Sequence, residues 1–232
     1  MDDIERALAE WKASLLDKLE AGALYARSPI AHKWKAPFRS LVLRESVAWR
    51  THDLLLQAHA LHLGGHTLGS RILIRSAVET LAVLIYLNQM TKNVLSGSEG
   101  FHQFSLKTSR LLLGSKDKTT KHDAINILTV LTKADEKYPG LMDLYDNLSE
   151  SAHPNFEGMC FGYSRVDHEH YVTIFSNNWV AMYANRHVLA MQLCIATFSH
   201  EYNEEWTPQA KQLEEWIVVN DAKLEATKDD PL

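Results

Sequence analysis

Arg75 and Glu79 stand four residues apart in the run RILIRSAVETLAVLIYL. That spacing puts both side chains on one helical face, with Arg71 one turn earlier. Their neighbours are almost all apolar, and a charge among apolar side chains needs a partner. One use of the pair is a structural ion bond that sets helix packing. The other is a polar site lining a pocket between helices, where ligands of helical bundles bind.

The second candidate is SESAHPNFEG, Ser149 to Gly158. The residue before a proline is pushed out of the helical region, so His153 is held at a sharp corner ahead of Pro154. An imidazole there can exchange a proton near neutral pH, which makes His153 the catalytic candidate. The competing use is local: the imidazole satisfies helix-end carbonyls while Pro154 and Asn155 make the turn. Tyr145 and Asn155 flank this corner, and the binding set is Arg75, Glu79, Tyr145 and Asn155.

Two metal readings follow from histidine and carboxylate spacing. His59, His62 and His66 share one face of an uninterrupted helix and carry ligands suited to zinc, but Gly64-Gly65 interrupts that helix. Glu99-x-x-His102 and Glu150-x-x-His153, with Glu45 and Glu79 elsewhere, match the inventory of a di-iron carboxylate bundle. Their order along the chain is not the alternating one of such bundles, and no metal ligand or cofactor is assigned. Arg39, Arg44 and Arg50 form a basic strip that reads as a solvated helix face. No phosphate-binding glycine loop and no nucleophile elbow is present.

The elements that must position these residues are helical. Ile4, Leu8, Trp11, Leu15 and Leu19 predict one amphipathic helix over residues 2–25, broken at Ser28-Pro29. A second helix runs from Pro37 to Leu63, where Gly64-Gly65 ends it. A third, apolar on nearly every side, spans 67–90 and is followed by a loop at 91–98. Further helices are expected over 99–113, 121–137 and from Leu141 to His153. MCFGYSRV and HYVTIF read as the strands of a small β-hairpin. A long helix over 179–206 follows, and Thr207-Pro208 restarts the chain in a final helix over 208–226. The expected architecture is all-α: a single-domain bundle of about eight helices, residues 1–232, with a core over 38–206 and the hairpin before the long penultimate helix.

The 232 residues carry a net charge of −5, which excludes a general attraction to nucleic acid or anionic lipid. The most apolar stretch is interrupted by Arg75 and Glu79, short of the roughly 20 residues of a membrane span. Cys160 and Cys194 make no metal or redox motif and fit a reduced cytoplasmic compartment. The acidic, amphipathic N-terminus lacks the features of a signal peptide. Trp179, Tyr183, Trp206 and Trp216 serve either as core or as anchors of an oligomer, for which a homodimer is the expectation.

The Arg-Ser-x-x-Glu-Thr core of RILIRSAVETLAVLIYL, followed further on by LSESAHPNFEGM, resembles bacterial helical-bundle families similar to the HEPN (higher eukaryotes and prokaryotes nucleotide-binding) group, over about residues 40–200. The resemblance implies a helical bundle, often dimeric, acting in toxin–antitoxin, phage-defence or RNA-processing systems. Active members of the group cut RNA with Arg-x4–6-His on a helix. Here Arg27-x4-His32 spans Pro29, Arg165-x4-His170 falls in the hairpin, and no arginine precedes His153 at the required offset. The leading expectation is therefore a binding module for a nucleotide, RNA or protein in a defence or regulatory system. The alternatives are a metal-independent ribonuclease using His153, with Arg75 supplying the cation from a neighbouring helix, and a metal-binding, di-iron-like bundle enzyme.

Overall fold

The structure, a computed structural model, describes residues 2–230. It is all-α with one β-hairpin: α1 Asp3–Ser14, α2 Ala21–Arg27, α3 Pro29–Lys33, α4 Lys35–Leu63, α5 Thr67–Ser96, α6 Phe101–Leu113, α7 Ile127–Lys137, α8 Leu141–Ala152, β1 Ser164–Asp167, β2 Val172–Phe175, α9 Trp179–Ser199 and α10 Trp206–Ala226. Two π-helical turns, Phe156–Phe161 and His200–Glu205, precede β1 and α10. No helix among the described residues is long and apolar enough to cross a membrane.

The residues fall into two compact units, to both of which α4, α5, α7 and α9 contribute. The first comprises the chain up to Ser14, Trp49–Leu81 and Asp135–Ala196. Its core holds Leu8, Leu55, Ile74, Leu81, Trp179 and Met191, all nearly inaccessible. The second comprises Leu15–Ala48, Ala82–Ala134 and the chain from Thr197 onward. Leu84, Ile85, Met90, Phe104, Leu131 and Ile217 fill its core.

Local chemistry explains most boundaries. Asp2 accepts the Glu5 N–H at 2.8 Å and so caps α1. The expected helix over 2–25 stops early, at Ser14: the Ser14 hydroxyl donates to the Trp11 carbonyl at 2.8 Å, and neither Leu15 nor Leu19 is buried to hold a further turn. Ser28, with φ −146° ahead of Pro29, separates α2 from α3. Gly65 takes φ +73° and ends the turn after α4.

Three other expectations are corrected. The loop at 91–98 is helical to Ser96, because the extra turn buries Val94 completely, and Gly97 at φ +78° then stops it. The strand expected over MCFGYSRV begins only at Ser164, and residues 156–161 make a π-turn instead. The hairpin itself is present, antiparallel, with Ser164 opposite Phe175 and Asp167 opposite Val172.

Thr207-Pro208 does not break the chain. Ser199 and Trp206 keep right-handed helical torsions on either side of the second π-turn. Pro208 has no N–H to give to the Glu204 carbonyl, and its ring would press on that carbonyl in a regular α-helix. The wider turn just before it relieves both conflicts.

Candidate functional site

Helices α5 and α8 meet through a ladder of polar bonds in the first unit. Arg75 donates from Nη2 to the Tyr145 hydroxyl and from Nε to Ser149 Oγ, both at 2.9 Å. Glu79 lies 3.2 Å from the same Nη2, and each partner of the ion pair keeps 24 % of its side chain exposed. One turn earlier, Arg71 donates from Nε to Ser151 Oγ at 2.8 Å and from Nη2 to the Asn147 carbonyl at 2.8 Å. Arg71 therefore bonds residues 147 and 151 while Arg75 bonds 145 and 149, so the two helices run antiparallel.

Arg71 is the buried member, with 1 % of its surface exposed. Its guanidinium lies over the Tyr183 ring, 3.8 Å from the centroid, and 3.9 Å from Glu157. Ser151 relays the bond, donating to Glu157 Oε1 at 2.6 Å. Burial lowers the Arg71 pKa from the usual arginine range, while Tyr183 and Glu157 oppose the shift. Burial also raises the Tyr183 pKa, with the Glu157 carboxylate adding to it.

This network clamps the first π-turn. Asn155 caps it, accepting the Gly158 N–H at 2.9 Å and donating to Glu150 Oε2 at 2.6 Å. A Cβ on Gly158 would lie 2.0 Å from the His153 carbonyl oxygen, so the backbone folds back on itself as only glycine permits. A Cβ on Gly162 would lie 2.5 Å from the Trp179 ring, which is fully packed. Gly162 itself has right-handed helical torsions, φ −66° and ψ −23°, so the extended strand expected there does not form.

Above the clamp the surface is aromatic and exposed. Phe156 and Phe161 stack with centroids 6.1 Å apart, and Met159 is exposed beside them. The hairpin packs its first strand against the π-turn and exposes Tyr171 and Phe175, at 94 % and 80 %. The local charges are Glu157, Arg165, Asp167 and Glu169.

The residues named from sequence are thus distributed as follows. Arg75, Glu79 and Tyr145 come together. Asn155 belongs to the turn beside them and is tied to Glu150. His153 is extended and exposed at the end of α8. Its ring makes no hydrogen bond or ion pair among the described residues, and the Arg75 donors already serve Ser149, Tyr145 and Glu79. Arg71, Ser151 and Tyr183 form a buried centre, with partly exposed Glu157 at its edge, that spacing alone did not select. Arg71 carried a signal, being one turn from Arg75 on the same apolar helix.

No group of three or more His, Cys, Asp or Glu among the described residues is placed to hold a metal ion, so the di-iron-like inventory does not assemble. Glu45 accepts from Tyr202, Glu99 pairs with Lys107 and His102 bonds Thr227. His59 bonds Asp2, and His66 lies exposed beyond the end of α4, so the three-histidine face does not form. His170 of the hairpin bonds Asp167. His62 packs edge-on to buried His187, and burial, Arg71 and His62 together push the His187 pKa down to about 4.

The basic strip is not a solvated face. Arg44 stacks on Tyr202 and Trp206 at 3.4 and 4.3 Å and pairs with Glu45, and Arg39 bonds Ser105 and Ser109. Both cysteines are free thiols, and burial pushes Cys194 up to about 12. Comparison with known protein families, curated proteins and solved structures returned no match.

Proposed function

We propose that this chain is a non-catalytic, HEPN-like binding module of a bacterial cytoplasm, acting in a defence or regulatory system, and that its partner is a protein. The observation that carries the reading is the exposed aromatic surface of the π-turn and hairpin, held by a buried polar clamp. Large apolar side chains exposed together on one short segment of chain mark interaction sites. Binding of nucleic acid needs Lys and Arg to neutralise phosphates and a basic groove beside the stacking rings. This surface has three acids to one arginine, on a chain of net charge −5.

The test uses immobilised chain, wild type beside Phe156→Ser/Phe161→Ser/Phe175→Ser, in ribonuclease-treated extract of the source cells. A protein retained by the wild type and lost by the variant, with thermal stability unchanged, is the expected result. Equal retention by both removes the surface from the reading. Chelator-resistant cleavage of RNA that disappears in His153→Ala replaces it with the ribonuclease alternative.

Self-association has a separate candidate surface. Val188, Leu189 and Leu193 are exposed along one side of α9 in the first unit, next to Gln192 and Ala196. A stripe of this kind suits a symmetric dimer, in which the same patch meets its own copy.

A further inference from the structure

The second unit contains a cleft of about 740 Å³ between α2, α4 and α10. Its size is that of a small-molecule site. Leu24, Pro37, Leu41, Trp206 and Leu213 give it apolar walls. Its cationic groups pair with carboxylates, Arg27 and His32 with Glu214 and Lys211 with Glu215, and three of its other polar groups have acceptors to spare.

Ser40 and Thr91 line the cleft, and each hydroxyl proton is committed to its own helix, to the Ala36 and Leu87 carbonyls, both at 2.9 Å. Asn203 gives its amide nitrogen to the Ser199 carbonyl at 3.0 Å and to Ser199 Oγ at 3.4 Å. What remains on all three is oxygen lone pairs.

Glu214 adds charge to that pattern. Arg27 and His32 Nε2 both bond its Oε1, the histidine at 3.1 Å. Its Oε2 has no hydrogen-bond partner among the described residues. The carboxylate is 19 % exposed, whereas Arg27 and Lys211 at the rim are 60 % and 79 % exposed. Solvent screens the exposed charges far more than the sunken one. Glu214 is therefore the least exposed carboxylate of the lining and keeps one oxygen without a protein partner, although the formal charges of the lining cancel.

We propose that this cleft binds a small organic amine, its ammonium group donating to Glu214 Oε2 and its aliphatic or aromatic body lying on the apolar walls against Trp206. The inference is independent of the protein-binding surface and needs none of its residues.

The experiment is calorimetric titration of the full chain with 2-phenylethylamine, 3-phenylpropionate and 2-phenylethanol, which share a body and differ in the charge of the head. The amine is expected to bind with a Kd of about 1 mM, the range for a fragment of this size, and about tenfold more tightly than the other two. Glu214→Gln should reduce the amine to the level of the alcohol. Val218→Trp, at an exposed lining position, should fill the cleft and block all three while the charge of Glu214 is retained. That variant keeps the test open if Glu214→Gln does not fold. Equal affinities, a preference for the carboxylate, no binding by any of the three, or amine binding that survives Val218→Trp would overturn the proposal.

Discussion

Arg71 and Glu157 are joined through a single hydroxyl: Ser151 Oγ accepts from Arg71 Nε at 2.8 Å and donates to Glu157 Oε1 at 2.6 Å. The bond ties the N-terminal part of a core helix to the turn that carries the exposed aromatic rings. It makes the polar ladder between α5 and α8 a support for a surface.

The two arginines of that ladder should respond differently to substitution. Arg71→Met leaves Asn147 and Ser151 without their buried partner and should cost about 3–5 kcal/mol in urea unfolding. Glu79→Ala should cost only about 1 kcal/mol, because the pair is partly exposed and Arg75 keeps Tyr145 and Ser149. Equal losses would show that the two positions are equally buried.

Stability should fall as the pH drops from about 6.5 to about 4. The His187 pKa is lowered to about 4 by burial, so in this window the unfolded chain takes up a proton that the folded chain does not. Stability then rises with pH until His187 is neutral in both states, a change of about 3 kcal/mol. Burial lowers the His52 pKa as well and adds in the same direction. Unfolding of wild type and His187→Gln at pH 7 and pH 4.5 isolates the contribution; an unchanged slope in the variant would remove His187 as its source.

Gly158→Ala should disrupt the first π-turn. The added Cβ meets a backbone carbonyl, which cannot swing away as a flexible side chain could. A loss of about 1–3 kcal/mol is expected, with amide exchange rising over residues 155–162 and little change over α6 and α10. Unchanged protection of that segment would show that the turn tolerates a side chain.

The chain should sediment as a dimer at micromolar concentration, and Leu189→Asp with Leu193→Asp should make it a monomer without loss of helix. Both side chains are exposed in the chain by itself, so their replacement costs little in folding. A monomeric wild type would leave the α9 stripe without this role.

Much of the helical pattern was legible because its signals are local. Three- and four-residue apolar spacing marked α1 and α8, apolar residues on nearly every side marked α5, Ser28-Pro29 and Gly64-Gly65 marked breaks, and β-branched residues marked β2. The candidate site was half legible. Arg75 and Glu79 are neighbours on one helix, so spacing found them; Tyr145 and Ser149 lie on another helix, and only packing brings them to Arg75. His153 was recognised as a corner, and a corner is what it is; nothing local indicated that its ring would stand apart from the arginines.

The sequence by itself determined that the chain would be helical, that Ser28-Pro29 and Gly64-Gly65 would break it, and that a charged pair would interrupt its most apolar helix. Tertiary structure decided which charge was buried, because Arg71 rather than Arg75 meets Tyr183 and Glu157. It decided that α5 would run on to Ser96, since only packing makes Val94 worth another turn. It also decided that the chain would close into a π-turn at residues 156–161, and that Arg27, His32 and Glu214 would line one cleft. These outcomes depend on contacts between residues far apart in the chain, and propensity and periodicity do not encode the distances on which such contacts depend.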